Sequence, residues 1–297
     1  MSFTVDNEFL SPADESGRER MHKRIVDRGG ELRQGTLAKS ILDRPIDVYY
    51  VGKGKRYVTV FATHHALESI TSNIAYLLID LLIQKSERGV VNGVDCKLLL
   101  SKYCFAIVPC VNPDGVELRY HGAKKTPLYD RQMRMSGGDF SKWQANARGV
   151  DLNHNYDFGF TEYKQLEREL GIRPGLSLFS GEYPESEPES RAMANLVRTL
   201  SPCAVVSLHA QGEEIFAPMK DRRGRRVSEH FASLTGYRLS APSGTAAYGG
   251  LVDYTASLGI PSFTLEVGRG TNPLPESDIP SIFSRVGEAL AILPTLL

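Results

Sequence analysis

The segment from Val58 to Leu82 constrains the fold and function of this chain more than any other. It begins with β-branched and aromatic residues, which predict a strand, and ends with apolar residues at helical spacing. The turn between them carries His64, His65 and Glu68. Because His65 and Glu68 are three residues apart, both would project from one side of a first helical turn. An imidazole and a carboxylate placed in this way form half of a zinc site. On this segment alone, a packed histidine and a solvent-facing glutamate are the favoured interpretation.

Predicted strands and helices alternate along the rest of the chain. An N-terminal helix begins near Ser11-Pro12, and Gly-Lys-Gly at 52–54 predicts a hairpin between two strands. Asn112-Pro-Asp-Gly115 predicts a turn after the third strand. We expect a single-domain α/β/α sandwich with a mixed, largely parallel central sheet, in which residues 1–34 form a helical extension packed on a domain at 35–297. The predicted strands are 44–51, 56–63, 103–111, 203–209 and 260–268, and the later helices are 66–85, 187–200, 224–236, 251–258 and the segment after 280.

Composition excludes several function classes. The 297 residues carry 35 basic and 35 acidic side chains, so no net charge directs the chain to nucleic acid or to an anionic membrane. No segment approaches the length of a membrane span, and no secretory signal is visible. The four cysteines form no Cys-x-x-Cys pair and are expected to be reduced. We therefore expect a cytoplasmic protein with no nucleic-acid or membrane partner, and we infer no obligate protein partner.

Polar residues stand at four predicted strand ends, where open α/β sheets bind their ligands. Together, His65, Glu68 and His209 would supply two imidazoles and a carboxylate and leave a fourth position to water, the pattern of catalytic zinc. Glu266 follows an apolar strand and is the best placed carboxylate to take a proton from that water. An ion pair with Arg269 or Arg148 is the alternative interpretation of Glu266. The four strand ends are His64-His65, Asn112-Pro-Asp114, His209 and Glu266.

Five motifs occur in an order that resembles the zinc metallocarboxypeptidase family from about Gly35 to the C-terminus. Segments such as Trp143-x-Ala-Asn-Ala-Arg-Gly149 are similar to those of the bacterial γ-D-glutamyl-diamino-acid peptidases. That branch cuts the γ-D-glutamyl–meso-diaminopimelate bond of murein peptides. The five motifs are His65-x-x-Glu68, Asn112-Pro-Asp-Gly115, Gly149-Val-Asp-Leu-Asn153, Ser207-Leu-His209 and Leu265-Glu266-Val-Gly268.

The resemblance implies a zinc peptidase domain with one zinc ion per chain. It places the metal on His65, Glu68 and His209, makes Glu266 the general base, and makes Asp151 the residue that orients His65. It also implies a murein-derived peptide as substrate. His64 has no role in the family pattern and, as the strand neighbour of His65, is expected to point the other way and pack.

Two positions depart from the family. The family usually reads Asp-Leu-Asn-Arg-Asn, whose arginine grips a terminal carboxylate, whereas this chain has His154 after Asn153. At the place of the oxyanion-stabilising arginine stands Gln144, so Arg148, four residues later, is the electrophilic candidate. Tyr248 is the nearest substitute for the family's mobile tyrosine.

We therefore predict a zinc peptidase that hydrolyses an amide bond of murein-derived peptides. Asn153, His154 and Tyr248 are the predicted substrate contacts, and Glu213 is predicted to meet the ammonium of a diaminopimelate side chain. Two alternatives stay open on the same residues. One is an ordinary metallocarboxypeptidase or a deacylase of small conjugates, and the other is a catalytically silent binding protein of the same fold.

Overall fold

Ten strands and ten α-helices alternate in the described part of the chain. The computed structural model describes residues 5–218, 221–242 and 244–297. The strands are β1 (Leu32–Lys39), β2 (Pro45–Val51), β3 (Arg56–Ala62), β4 (Val90–Val91), β5 (Val94–Asp95), β6 (Tyr103–Val108), β7 (Ala204–His209), β8 (Glu214–Phe216), β9 (Arg238–Ser240) and β10 (Ser262–Glu266). The helices are α1 (Glu15–Arg28), α2 (Ile70–Lys85), α3 (Cys96–Lys102), α4 (Pro113–His121), α5 (Tyr129–Ser136), α6 (Phe160–Glu169), α7 (Pro188–Leu200), α8 (Arg222–Thr235), α9 (Leu251–Ser257) and α10 (Ile279–Ala291).

Eight of these strands form one mixed sheet in the order β1-β2-β6-β3-β7-β10-β8-β9. The four central strands, β6, β3, β7 and β10, are parallel to one another. Antiparallel pairing joins β1 to β2, β2 to β6 and β8 to β10. The predicted mixed, largely parallel sheet is therefore confirmed, and its parallel centre points all its carboxyl ends to one edge.

Helices cover both faces of the sheet. One apolar cluster joins alternate strand residues such as Val60 and Val206 to α1, α2, α8 and α10. The second cluster joins the opposite set, such as Phe61 and Val205, to α7 and α9. Because successive strand residues face opposite sides, each strand supplies both clusters. The predicted α/β/α sandwich is confirmed.

The predicted hairpin at residues 44–63 is wrong, because β6 lies between β2 and β3. Gly52 and Gly54, between the two strands, let the main chain pass close to the end of α3 and do not form a hairpin turn. Both Lys53 and Gly54 donate their main-chain N–H groups to the Leu100 carbonyl at the end of α3. A Cβ at Gly54 would lie 1.9 Å from the carbonyl carbon of Lys102, so only glycine fits there.

The predicted turn at Asn112-Pro-Asp-Gly115 is instead the start of α4. Asn112 Oδ1 accepts a hydrogen bond from the Gly115 main-chain nitrogen at 2.9 Å, and Pro113 occupies the first helical position. Asparagine as N-cap followed by proline is a helix start as well as a turn signal. The segment after β6 therefore contains two helices that the sequence patterns did not predict, α4 and α5.

Other differences are local. Asp14, rather than Ser11, caps the N-terminal helix. The sequence patterns missed the helices α3 and α6 and the strands β1, β4, β5, β8 and β9. The division of the chain at residue 34/35 stays a prediction, and β1 begins at Leu32. Across 5–218, 221–242 and 244–297, none of the helices has both the length and the apolar character needed to cross a membrane.

Candidate metal centre and active site

Three neighbouring parallel strands bring polar residues to one edge of the sheet. β3 leads into His65, β7 ends at His209, and β10 ends at Glu266. The pairing of β7 with β10 places Glu266 opposite His209. The Val267 main-chain nitrogen then donates to the His209 carbonyl oxygen at 2.8 Å, which holds the two strand ends in register. This is the edge at which open α/β sheets bind ligands.

A tight turn after β3 brings His65 and Glu68 together. Thr63 adopts a φ of 59°, and its main-chain N–H donates to Thr71 Oγ1 at 2.9 Å. The Thr71 hydroxyl donates in turn to the Glu68 carbonyl oxygen at 2.7 Å. His65 is extended and Glu68 lies in a 3-10 turn at 66–68. The two residues therefore meet ahead of α2, and not within its first turn as their spacing predicted.

The carboxylate of Glu68 lies between two imidazoles. Its Oε1 is 2.8 Å from His65 Nδ1, and its Oε2 is 2.9 Å from His209 Nδ1. The Ala210 main-chain N–H also donates to Oε2 at 3.3 Å. One ligand atom from each of His65, Glu68 and His209 lies within 4.8 Å of the others. A single metal ion can therefore reach all three.

The Nε2 atom of each imidazole has a hydrogen-bonding partner of its own. His65 Nε2 lies 3.1 Å from Asp151 Oδ1, and His209 Nε2 lies 3.0 Å from Ser207 Oγ. Such partners fix the tautomer and orientation of ligating histidines, so that both Nδ1 atoms face Glu68 and are placed to bind a metal together with it. The structure thus places Asp151 behind His65. No role was predicted for Ser207, although its two-residue separation from His209 on a strand already put both side chains on one face.

The pKa shifts of the residues in this centre agree with a site for a zinc cation. Burial would raise the pKa of Glu68, but the imidazoles of His65 and His209 outweigh burial and lower it to about 2. Burial also opposes ionisation of Asp151, whose pKa is nevertheless held far below its usual range by His65 and His154. Burial opposes charge on His65 as well, yet Glu68 and Asp151 raise its pKa well above the usual value. Two ionised carboxylates thus favour a cation here, and two imidazoles with a carboxylate form a catalytic zinc set.

Glu266 stands beside this ligand set. Its removal from water raises the pKa of its carboxyl group well above the usual value, and the charge of Glu68 raises it further, against the effect of His65. Neither Arg148 nor Arg269 pairs with it within the described residues, so the alternative ion pair is not present. A carboxyl group with a raised pKa at an active-site edge is suited to proton exchange.

The two polar candidates before Asp151 occupy different positions. Gln144 lies close to the metal ligands, because its carbonyl oxygen accepts from the Ala66 main-chain nitrogen at 3.0 Å. Arg148 instead contacts Glu187. Its Nη1 is 3.6 Å from Glu187 Oε2, and its side chain is 45% exposed.

The predicted substrate contacts Asn153, His154 and Tyr248 lie together. Asn153 Oδ1 accepts from the Leu251 main-chain nitrogen at 3.3 Å. His154 Nδ1 donates to the Tyr248 carbonyl oxygen at 3.0 Å, and its ring stacks on Tyr163 at a centroid distance of 3.9 Å. Burial lowers the pKa of His154, against the pull of Asp151. This shift favours the neutral imidazole, and Tyr248 beside it is 45% exposed.

Glu213 lies beyond β7 and contacts two arginines. Its Oε2 is 3.0 Å from Arg269 Nε, and its Oε1 is 3.5 Å from Arg285 Nη1. His64 lies outside the ligand set. It is fully buried, its Nε2 is 2.8 Å from the Tyr156 hydroxyl, and its ring is stacked 5.6 Å from that of His209.

The chain is similar in sequence to a known protein family and to several known proteins. The sequence profile described as Zinc carboxypeptidase matches residues 25–286. Gamma-D-glutamyl-L-diamino acid endopeptidase 1 of Lysinibacillus sphaericus is 32% identical over 270 residues, which are 87% of this chain and 66% of that protein. Murein peptide amidase A of Escherichia coli (strain K12) is 28% identical over 165 residues, which are 54% of this chain and 56% of that protein. The chain therefore spans just under two thirds of the first relative and little more than half of the second.

A solved structure shares the fold. The crystal structure of thrombin activatable fibrinolysis inhibitor superimposes with a TM-score of 0.74 at 21% identity, covering 98% of this chain and 78% of that one.

Proposed function

Because this chain belongs to the zinc carboxypeptidase family, we propose that it hydrolyses the γ-D-glutamyl–meso-diaminopimelate amide of murein-derived peptides. The observation that carries the proposal is the set of His65, Glu68 and His209 with Glu266 on the adjoining strand end. The substrate class is supported by similarity to an endopeptidase named for γ-D-glutamyl-L-diamino acids and to a murein peptide amidase.

Different residues of the chain have different roles in hydrolysis. His65, Glu68 and His209 would hold the zinc ion, and Asp151 and Ser207 hold the two imidazoles in position. Bound zinc would supply a Lewis acid that polarises the scissile carbonyl group and lowers the pKa of water. The Glu266 carboxylate accepts a proton from the attacking water and gives it to the nitrogen of the departing diamino acid.

The substrate would lie along the edge formed by Asn153, His154 and Tyr248. Asn153 and the neutral His154 offer hydrogen bonds but no guanidinium fork, which disfavours strict recognition of a terminal carboxylate next to the cut. Arg148 stays the proposed oxyanion-stabilising group, and Glu213 the proposed contact for an ammonium. Each is held by a partner, so either role requires exchange of an existing ion pair.

The test is incubation of the zinc-loaded protein with L-Ala-γ-D-Glu-meso-diaminopimelate, followed by mass analysis of the products. We expect release of the diamino acid. Cleavage only of ordinary C-terminal amino acids or of small acyl conjugates would favour the metallocarboxypeptidase or deacylase alternatives. Zinc binding without turnover of any of these substrates would favour the silent binding protein.

Two variants separate metal binding from proton transfer. His209→Ala should lose most of its zinc, because two remaining ligands hold the ion poorly. Glu266→Gln should keep about one zinc per chain and lose roughly 10²–10⁴-fold in turnover, the usual worth of a general base. Equal zinc content in His209→Ala and the wild type would refute the ligand assignment. Near-normal turnover of Glu266→Gln would remove Glu266 from its role.

We also propose that the protein acts in the cytoplasm on peptides released from murein. All four cysteines are free, which is typical of a reducing compartment. Fractionation of cells with an antibody to the native protein tests this location, and recovery outside the cytoplasm would refute it.

A further inference from the structure

A tyrosine links helix α4 to the turn that carries Glu68. The hydroxyl groups of Tyr120 and Ser69 are 3.1 Å apart, and Ser69 directly follows Glu68. The Tyr120 hydroxyl also donates to Glu276 Oε1 at 3.2 Å. Arg119 precedes this tyrosine, and its guanidinium carbon lies 4.1 Å from the centroid of the Tyr120 ring. Arg119 is therefore separated from the ligand turn by one side chain.

Arg119 has no anionic partner among residues 5–218, 221–242 and 244–297. Its Nη1 is buried and makes no hydrogen bond to that part of the chain. By contrast, the half-buried Arg44 contacts both Asp114 and Glu15. A buried donor without an acceptor is costly and rare in native proteins. A bound carboxylate or phosphate would satisfy that nitrogen, because such groups can accept two parallel bonds from a guanidinium.

Arg119 and His154 connect to the ligand set through different contacts. Contacts lead from Glu68 through Ser69 to Tyr120 and Arg119, whereas they lead from His65 through Asp151 to the segment of His154. His154 donates its Nδ1 proton to a carbonyl oxygen and offers no fork for a carboxylate. Arg119 can therefore supply the charge recognition that residue 154 lacks, and it connects to the ligand set through Tyr120 and Ser69.

We infer that Arg119 binds the free α-carboxylate of the γ-linked D-glutamyl residue in the substrate. This inference rests on the proposed function. A γ-glutamyl amide uses the side-chain carboxyl group in the scissile bond, so its α-carboxylate stays free on the acyl side of the cut. An ordinary α-linked peptide has no carboxylate at that position. Arg119 would thus select the γ linkage through a carboxylate on the acyl side of the cut, whereas the terminal carboxylate of the diamino acid belongs to the leaving group.

The experiment compares two peptides and four proteins. The peptides are L-Ala-γ-D-Glu-meso-diaminopimelate and its analogue with a carboxamide in place of the D-glutamyl α-carboxylate. The proteins are the zinc-loaded wild type, Arg119→Gln, Arg119→Lys and the control Arg134→Gln, which changes an exposed arginine of α5. Zinc content and thermal melting of each variant establish that it is folded and loaded.

We expect wild type and Arg134→Gln to prefer the free acid by about 10- to 100-fold in kcat/KM. Arg119→Gln should lose that factor on the acid and little on the carboxamide, so that the preference disappears. Arg119→Lys should keep part of it, because lysine keeps the charge but not the fork.

The outcomes separate the two proposals. A wild type that cleaves both peptides equally overturns the assignment of Arg119 and leaves the proposed function standing. The same holds if Arg119→Gln is impaired to the same extent on both peptides. If the wild type cleaves neither peptide, the proposed function fails and the assignment fails with it.

Discussion

Substitution of Asn112 tests how the strand ends are held together. Its Nδ2 donates to the carbonyl oxygens of His64 at 3.0 Å and of Gln144 and Ala145 at 3.1 Å each. Its Oδ1 accepts from the Gly115 main-chain nitrogen at 2.9 Å, which caps α4. The side chain is fully buried. One amide therefore joins the metal-binding turn, the segment before Asp151 and a helix start.

The size of the effect follows from these contacts. Asn112→Ala removes an N-cap, worth about 1 kcal/mol. It also removes the two full hydrogen bonds that an NH₂ group can donate, worth about 1 kcal/mol each. We expect a loss of about 3 kcal/mol in the free energy of unfolding. Asn112→Asp keeps the cap but turns an oxygen towards three carbonyl oxygens, so it should cost at least as much at neutral pH, about 3–5 kcal/mol.

The aspartate variant should also acquire a pH dependence of a defined sign. Burial against carbonyl oxygens raises its folded pKa above the unfolded value of about 3.9. The folded state then binds more protons than the unfolded state, so stability is retained at low pH and falls as pH rises through the folded pKa. The slope is at most about 1.4 kcal/mol per pH unit.

Urea unfolding of wild type, Asn112→Ala and Asn112→Asp at pH 5, 6, 7 and 8 provides the measurement. A chelator in every sample removes the contribution of zinc binding to stability. The reasoning is refuted if Asn112→Asp loses less than about 1 kcal/mol and its difference from wild type is the same at all four pH values.

Three further predictions follow from other contacts. Amidation of the terminal carboxylate of the diamino acid should lower kcat/KM by less than about 10-fold at pH 6 and pH 8, because His154 offers no bidentate pair; a loss of several hundredfold would show that another residue supplies one. Gly54→Ala should lower stability by roughly 3 kcal/mol, because the new Cβ would lie 1.9 Å from a main-chain carbon of α3. Gly35→Ala is its control, since the nearest atom there is 3.9 Å away, and equal melting temperatures of the two variants would contradict the argument. Arg28 forms an ion pair with the fully buried Asp80 carboxylate. Arg28→Ala should cost about 3–5 kcal/mol, because it leaves that charge without a cationic partner, although Gln84 Nε2 still donates to it. Asp80→Asn in the same chain should restore part of the loss in denaturant unfolding, and no restoration would refute the explanation.

The parts of the site that depend on local spacing were predictable from the sequence. His65 and Glu68 are close along the chain, and His209 and Glu266 each end an apolar strand. Because parallel strands end at one edge, such residues meet once the sheet order is known. The resemblance to zinc carboxypeptidases, inferred from the motifs, is confirmed by the family match, and the His-Glu-His group agrees with the predicted zinc.

Features that depend on tertiary contacts were not predictable in this way. The glycines at 52 and 54 have the appearance of a hairpin, but their function is to admit the main chain of α3, which is distant in sequence. Asn112 resembles a turn residue, but three of its four partners lie at 64 and 144–145. Arg119 carries no motif, and only its buried and unmatched nitrogen draws attention to it.

Helix α2 has a consequence for the order in which parts of the molecule open. All its residues from Ile70 to Ile83 are buried, so it has no solvent face along most of its length. Main-chain amides in such a helix exchange with deuterium only when most of the molecule unfolds. Glu68 is separated from the first residue of α2 by Ser69 alone, whereas Tyr248 lies on a loop and is exposed. Local opening of the loop at Tyr248 therefore does not require α2 to unfold, and Glu68 can stay in place while that loop opens.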